Sequence, residues 1–240
     1  MIPIRDRIPS RTFPYVTIGL IVANVLVYLL QLSQGDNLDA FIDQYALVPS
    51  RFTGGGTGIP LAPAAWLPIL YSMFFHGGLA HIGGNMLYLW VFGDNVEDVL
   101  GHGRYLFFYL ACGLVAALTH VFSDPASTTP MVGASGAVAG VLGAYLIVFP
   151  RSEILTLIPI VIIPWFVDIP AIFFLGVWFI MQVWSGGMTL HAHAQGDGGV
   201  AFMAHVGGFL AGVVLCLLLR KHPPPELPAT RPRIQRFMRY

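Results

Sequence analysis

Long apolar segments recur six times along the chain and leave few ways to fold it. They cover residues 14–32, 79–96, 104–122, 133–149, 170–184 and 200–219. Most have about the length, roughly 17–25 residues, that an α-helix needs to cross a bilayer. Charged residues make up 10% of the 240 residues, against about 25% in soluble domains. We therefore predict an all-α polytopic membrane protein with six transmembrane helices.

Three further apolar stretches are too short to cross a membrane. Two of them, Phe41–Leu47 and Trp66–Phe75, lie in the long segment after the first predicted span and are rich in aromatic side chains. Their composition is typical of interfacial or re-entrant segments. The third, Ile154–Trp165, is interrupted by Pro159 and Pro164, so we do not count it as a span.

The basic residues give the orientation of the predicted spans. Eleven of the twelve Lys and Arg residues fall on one side of a six-span arrangement, and only Arg51 falls on the other. Because basic residues favour the cytoplasmic side, we predict that both termini are cytoplasmic. Residues 1–221 would form the membrane domain, and residues 222–240 a basic, Pro-rich cytoplasmic tail.

Two polar side chains stand out within the apolar segments. Ser135 opens the fourth span in Gly133-Ala134-Ser135-Gly136, and His205 lies in the sixth span. Such groups are costly in a membrane and usually functional. The predicted orientation puts both in the outer third of the bilayer, where the imidazole could activate the hydroxyl as a nucleophile. Neither span contains Asp or Glu, so we predict a Ser-His dyad without a third side chain to orient the histidine.

Small residues predict that the fourth and sixth spans pack closely. They recur at four-residue spacing in both spans, a pattern that lets membrane helices approach backbone to backbone. The two stripes are Gly136, Gly140 and Ala144 in the fourth span, and Ala204, Gly208 and Gly212 in the sixth.

The second span offers donors for an oxyanion at the same depth. His81 and Asn85 are four residues apart and share one helix face. Together with the Ser135 backbone N–H, which is free at a helix N-terminus, they could stabilise the negative charge of an acyl-transfer intermediate. His76 precedes this helix and lies off that face.

Other interpretations of these residues stay open at this point. A Gly-x-Ser-Gly sequence is a weak motif, and a lone intramembrane histidine is often structural or part of a proton path. A metal held by His76, His81 and His205 is disfavoured by their spacing. Cys112 and Cys216 lie in apolar runs and fit buried hydrophobic positions. We expect no metal, no cofactor and no nucleic-acid partner.

Taken together and in order, these residues resemble the rhomboid family of intramembrane serine proteases. Each motif is loose by itself, but all of them occur on the appropriate spans. They are His76-x4-His81-x3-Asn85, Glu97 followed by Gly101-x-x-Arg104-Tyr105, Gly133-x-Ser135-Gly136, and Ala204-His205-x-x-Gly208-x-x-x-Gly212.

The resemblance implies a role for each of these residues. Ser135 would be the nucleophile and His205 the general base and acid, with His81, Asn85 and the Ser135 N–H as oxyanion donors. The residues implied to support the site are His76, Gly133, Gly136 and Gly208. Some family members carry an aromatic side chain stacked on the histidine, four residues after the nucleophile, where this chain has Ala139.

The implied activity is cleavage of the transmembrane segments of membrane proteins, and the implied location is a bacterial-type inner (plasma) membrane, with cleavage near its outer face. The partners would be such segments and membrane lipid. The Gly-rich loop 186–199 and the fifth span would form a gate over the site. The alternative is a non-catalytic rhomboid-like chaperone or adaptor that binds transmembrane segments. A small transporter with a proton-relay histidine is a third reading, less favoured because no inverted repeat stands out.

Overall fold

The computed structural model describes residues 1–223 except 55, 57, 161–162 and 193–201. Within these residues the elements alternate between long helices and short connecting structure. In chain order they are β1 Ile2–Asp6, α1 Tyr15–Leu32, α2 Leu38–Tyr45, α3 Pro49–Thr53, α4 Leu67–Ser72, α5 Leu79–Leu100, α6 His102–Ser123, α7 Ser135–Val148, β2 Glu153–Ile160, β3 Ile163–Pro170, α8 Ala171–Ala192 and α9 Phe202–Leu219.

Each of the six predicted spans coincides with a helix, namely α1 and α5 to α9. Of the described helices, three are long and apolar enough to cross a membrane: α1, α6 and α9. The apolar part of α8 and the whole of α7 are shorter, and α5 ends in several carboxylates. The chain is therefore mostly helical and rich in apolar helices. The predicted tail beyond residue 223 lies outside the described residues. Residues 186–192 of the predicted gate loop belong to the end of α8 instead, and residues 193–199 lie outside the described residues.

A three-stranded antiparallel sheet departs from the all-α prediction. Its strand order is β1-β2-β3, so that β2 lies between the other two. The stretch that we set aside as Pro-interrupted supplies the β2–β3 hairpin, in which Glu153 pairs with Pro170 and Ile160 with Ile163. Two prolines disfavour a helix here, whereas β-branched and aromatic side chains favour strands.

The helix α7, which begins at Ser135, is the central helix of the bundle. Its residues 136–145 are all buried, and it contacts α5, α6, α8 and α9. A helix that is apolar on every side is suited to such an enclosed position. The first residue of this helix is therefore surrounded by protein on several sides.

Polar contacts hold both ends of α1. At its beginning, the Glu97 carboxylate of α5 accepts hydrogen bonds from the Val16 and Thr17 backbone N–H groups at 2.9 and 2.8 Å. Because the first N–H groups of a helix have no partner within it, Glu97 serves as its cap. At the other end, the Gln31 amide bonds both the N–H and the carbonyl of His76, at 2.9 and 3.1 Å.

The sheet is joined to the helical bundle by the half-buried carboxylate of Asp6. One oxygen of Asp6 in β1 accepts hydrogen bonds from the Tyr145 hydroxyl of α7 at 2.6 Å and from the Asn95 amide of α5 at 2.9 Å. Burial, reinforced by the neighbouring Asp94 carboxylate, raises the pKa of Asp6 to about 7, although the Tyr145 hydrogen bond acts in the opposite direction.

We expect Asp6 to make the folded protein less stable as the pH rises. Its pKa is higher in the folded chain than the value of about 3.9 in an unfolded one, so its stabilising effect is complete below pH 4 and is lost as the pH approaches 7. Asp6→Asn keeps an oxygen acceptor and cannot ionise. The melting temperature of the variant minus that of the wild type should therefore increase between pH 4 and 7. The increase should be about 2–4 °C for each kcal/mol of unfolding free energy that the wild type loses.

Thermal unfolding in detergent across this pH range measures the difference. Asp168→Asn, at an exposed ion pair of the same sheet, controls for the loss of one negative charge. A difference between Asp6→Asn and wild type that stays constant with pH would contradict the assignment.

Candidate active site

The loop before α7 is held in place by two earlier segments of the chain. The Met131 N–H donates to the Leu47 carbonyl at 2.8 Å, and the Gly133 N–H donates to the Ser72 carbonyl at 2.8 Å. Gly133 has φ +132°, a backbone conformation that favours glycine. A Cβ built there would also lie 2.8 Å from His81 Nε2. The loop thereby delivers Ser135 to the first position of α7.

Ser135 and His205 meet across two helices that are seventy residues apart in the chain. The Ser135 Oγ lies 2.7 Å from the His205 Nε2, which is hydrogen-bond distance. His205 is 8% exposed. The hydroxyl is thus placed to donate to an unprotonated ring nitrogen.

The predicted small-residue stripes make this meeting possible. A Cβ built at Gly208 would collide with the Gly136 carbonyl oxygen, and one at Gly212 would collide with the Gly140 carbonyl oxygen. The backbones of α7 and α9 are therefore in direct contact along the stripe, as the sequence predicted. Gly136 is enclosed on another side by α6, since its Cβ would lie 2.5 Å from the Ala116 Cβ.

The prediction that no side chain orients His205 is wrong. The Gln182 Oε1 of α8 lies 2.7 Å from the His205 Nδ1. Because an amide oxygen can only accept, the hydrogen belongs on Nδ1, and Nε2 is left as the acceptor that faces Ser135. The indole ring of Trp178, also on α8, lies 6.0 Å from the imidazole ring with 36° between their planes. An aromatic ring near the histidine thus comes from α8 instead of from position 139.

The second predicted group of polar residues also borders this pair. The Gly77 N–H lies 3.3 Å from the His81 Nδ1, so that Nδ1 is the acceptor and Nε2 carries the hydrogen. This Nε2 is the atom that approaches Gly133 and the start of α7. The amide nitrogen of Asn85 is buried and has no hydrogen-bond partner among the described residues. Ser135, as the first residue of α7, has an N–H without an acceptor in its own helix.

His76 stands one layer away from these groups. Its ring packs edge-on against His81, with 5.2 Å between ring centroids, and its Nδ1 lies 3.2 Å from the Phe74 carbonyl. Its backbone is the part that Gln31 binds. The described contacts of His76 thus hold His81 and the lead-in to α5.

A cavity of about 470 Å³ joins these residues into one site. Its polar lining includes His81, Asn85, Ser135, Gln182 and His205, and its apolar lining includes Met131, Val138, Leu142 and Trp178. An apolar pocket with a few convergent polar groups is the usual form of a ligand site. The apolar helices and this enclosed polar cluster define an integral membrane protein with a candidate acyl-transfer site.

Comparisons with known proteins identify the family. The model of the Rhomboid domain matches residues 63–222, which is more than half of the chain. The chain therefore belongs to the rhomboid family.

Curated relatives agree with this assignment. Rhomboid protease GluP of Bacillus subtilis (strain 168) is 32% identical over 137 residues, which are 57% of this chain and 24% of the relative. Rhomboid protein 1, mitochondrial, of Saccharomyces cerevisiae is 30% identical over 156 residues, 62% of this chain and 40% of the relative. The human Presenilin-associated rhomboid-like protein, mitochondrial, is 30% identical over 138 residues, 57% of this chain and 33% of the relative. The chain spans less than half the length of these relatives.

Proposed function

We propose that this chain is an intramembrane serine endopeptidase that cleaves transmembrane segments of membrane proteins. The observation that carries the proposal is the 2.7 Å approach of the Ser135 Oγ to the His205 Nε2. The neighbouring donors and the enclosing cavity support it. So does the similarity to a relative that is named a protease.

The proposed reaction begins when the Ser135 hydroxyl attacks the carbonyl carbon of the scissile peptide bond. His205 takes the hydroxyl proton on Nε2 and then gives it to the leaving amine, so that an acyl ester with Ser135 remains. Water attacks this ester with His205 again as the base, the ester bond to the Ser135 oxygen breaks, and His205 returns the proton to that oxygen as the carboxylic acid product leaves. In both steps the carbonyl oxygen becomes negatively charged, and it would accept hydrogen bonds from His81, Asn85 and the Ser135 N–H.

We also propose a six-span bundle with both termini in the cytoplasm of a bacterial-type cell. The segregation of the basic residues supports this orientation, which puts the Ser135–His205 pair nearer the outer face. The membrane domain would comprise residues 1–221, and residues 222–240 would form a cytoplasmic tail. The partners that we propose are transmembrane segments of substrate proteins and membrane lipid.

The alternative function is that of a chaperone or adaptor that binds transmembrane segments without cleaving them. Reaction with a fluorophosphonate probe separates the two functions, because only an activated serine forms the covalent adduct. We expect peptide mapping of the labelled protein to place the adduct on Ser135. A folded protein that binds single-span proteins but neither reacts with the probe nor cleaves them would establish the alternative.

Removal of the Asn85 donor should lower turnover more than substrate binding. Asn85→Ala and the nearly isosteric Asn85→Asp both lose the amide N–H that we assign to the oxyanion. We expect kcat to fall by about 10²–10³ in each, as for a typical oxyanion donor, with KM nearly unchanged. Cleavage of a single-span substrate by purified protein gives both constants. A change in KM alone would show that Asn85 binds the ground state of the substrate.

Gln182 should act as a positioning residue for His205. Gln182→Leu removes the acceptor for Nδ1–H, and the loss of a hydrogen bond worth about 1 kcal/mol corresponds to a roughly five- to tenfold lower kcat. Gln182→Glu keeps an acceptor oxygen and should restore most of the turnover. Equal losses in both variants, or a loss explained by a lower melting temperature, would indicate a structural role instead.

A further inference from the structure

The β2–β3 hairpin has an unusual distribution of charge for a segment outside the helical bundle. Its only charged residues, Glu153 and Asp168, stand at its base. There Asp168 accepts hydrogen bonds from the Arg7 guanidinium, the shortest at 2.8 Å. Between Ile154 and Val167 the only polar side chain is that of Thr156. The distal part of the hairpin is therefore entirely apolar.

Side chains of the hairpin become more exposed from its charged base toward its apolar tip. Ile154 and Thr156 at the base are fully buried, whereas Trp165 and Phe166 near the tip are 56% and 54% exposed. Because neighbouring residues of a strand point to opposite faces, these two rings project from both faces of β3. Strands of eight residues reach about 25 Å, so the hairpin forms an arm on which Trp165 and Phe166 lie beyond the protein that covers its base.

The base of the arm leads directly into a helix whose exposed side is apolar. β3 ends at Pro170 and α8 begins at the next residue, Ala171. In the first turn of α8, Ile172 and Phe173 are exposed, and further exposed apolar side chains follow along this helix. In an integral membrane protein that side of an apolar helix faces lipid.

We propose that the β2–β3 arm binds the membrane, with Trp165 and Phe166 in the boundary between lipid headgroups and acyl chains. In the proposed orientation this is the cytoplasmic leaflet. A tryptophan is favoured at this depth, and an apolar surface of this kind is costly to expose to water. The inference needs only the membrane location of the chain and does not depend on the proposed protease activity.

The sheet topology limits how deeply the arm can lie. Among the described residues β3 is an edge strand, since the order is β1-β2-β3, and its backbone groups on one side face no partner strand there. Open sheet edges are not tolerated in the hydrocarbon core, where no water can satisfy them. Pro164, opposite Pro159 in the hairpin, removes one of the donors. The boundary between headgroups and acyl chains covers the apolar rings and is still hydrated enough to satisfy the edge of β3.

Depth-dependent fluorescence quenching tests the proposal with the full chain. Phe166→Cys and the control Glu153→Cys, at the charged base of the same hairpin, would each be labelled with an environment-sensitive fluorophore. Both would be made in a background in which the buried Cys112 and Cys216 are replaced by alanine. In liposomes we expect a blue-shifted emission at position 166, quenched most strongly by lipids with a nitroxide close to the headgroup. Position 153 should show water-like emission.

Three outcomes would overturn the proposal. Water-like emission and free access of iodide at position 166 would show that the arm is in solution. Apolar emission without lipid quenching, increasing with the protein-to-lipid ratio, would show that the arm binds a second copy of the chain. Quenching that is strongest with a nitroxide near the end of the acyl chain would place the arm in the hydrocarbon core. Unchanged thermal unfolding of both labelled proteins confirms that they are folded.

Discussion

Ser135→Ala and His205→Ala should each abolish cleavage of single-span substrates while leaving the protein folded and inserted in the membrane. The reason is that neither the nucleophile nor its base can work without the other. In a soluble serine protease, loss of either residue lowers kcat on the order of 10⁶-fold, and the effects are not additive. The double variant should therefore be no less active than either single variant.

Co-expression with a panel of tagged single-span proteins, followed by assays with purified protein, measures the effect. Ser33→Ala, which removes an exposed hydroxyl at the end of α1, is the matched control and should retain wild-type activity. Residual cleavage above a few per cent of wild type by purified Ser135→Ala would exclude the proposed nucleophile.

Gly208→Val should inactivate the protein and destabilise it. A side chain at this position has no space, because a Cβ there already collides with the Gly136 carbonyl oxygen. Overpacking of this kind typically costs about 1–3 kcal/mol. A displacement of about 1 Å between reacting groups can lower the rate about 10²-fold. Activity should thus decrease further than the loss of stability explains, because α7 and α9 carry one member each of the Ser135–His205 pair.

Thermal unfolding and cleavage rates of the same preparations separate the two effects. Leu217→Val places the same residue type in the same helix, at a position that is 58% exposed, and serves as the control. Leu217→Val should have little effect on either the melting temperature or the cleavage rate. A Gly208→Val protein with wild-type activity and stability would contradict the close contact between α7 and α9.

The helices were predictable from the sequence, but the sheet was not. The six long apolar runs exceed the length of ordinary strands, so a helix was the only element that could accommodate them. Ile154–Trp165 is an apolar run of intermediate length, and its periodicity does not distinguish a strand from a buried helix. Its two prolines argued against a helix, and its β-branched residues favoured strands. What the sequence could not supply was the partner strand β1, which lies about 150 residues away.

In the candidate site, too, the residues could be found from local sequence features, whereas one contact between distant residues could not. Ser135 and His205 were found because each is a polar residue within an apolar helix and because the small-residue stripes predicted contact between those helices. Gln182 carried a similar signal, as a polar residue in an otherwise apolar stretch of α8. Its contact with His205 depends on how α8 rotates about its own axis, and no motif in the chain specifies that rotation.

The contacts at the two ends of α1 fix the length of this helix relative to α5. Thr17 is tied to Glu97 near the end of α5, and Gln31 is tied to His76 just before α5 begins. The fourteen residue steps from Thr17 to Gln31 span about 21 Å at 1.5 Å per residue. An insertion of one residue would turn Gln31 by about 100° and break one of the two attachments. The outward side of α1 can therefore vary in sequence, whereas its length is constrained by the helix that it runs beside.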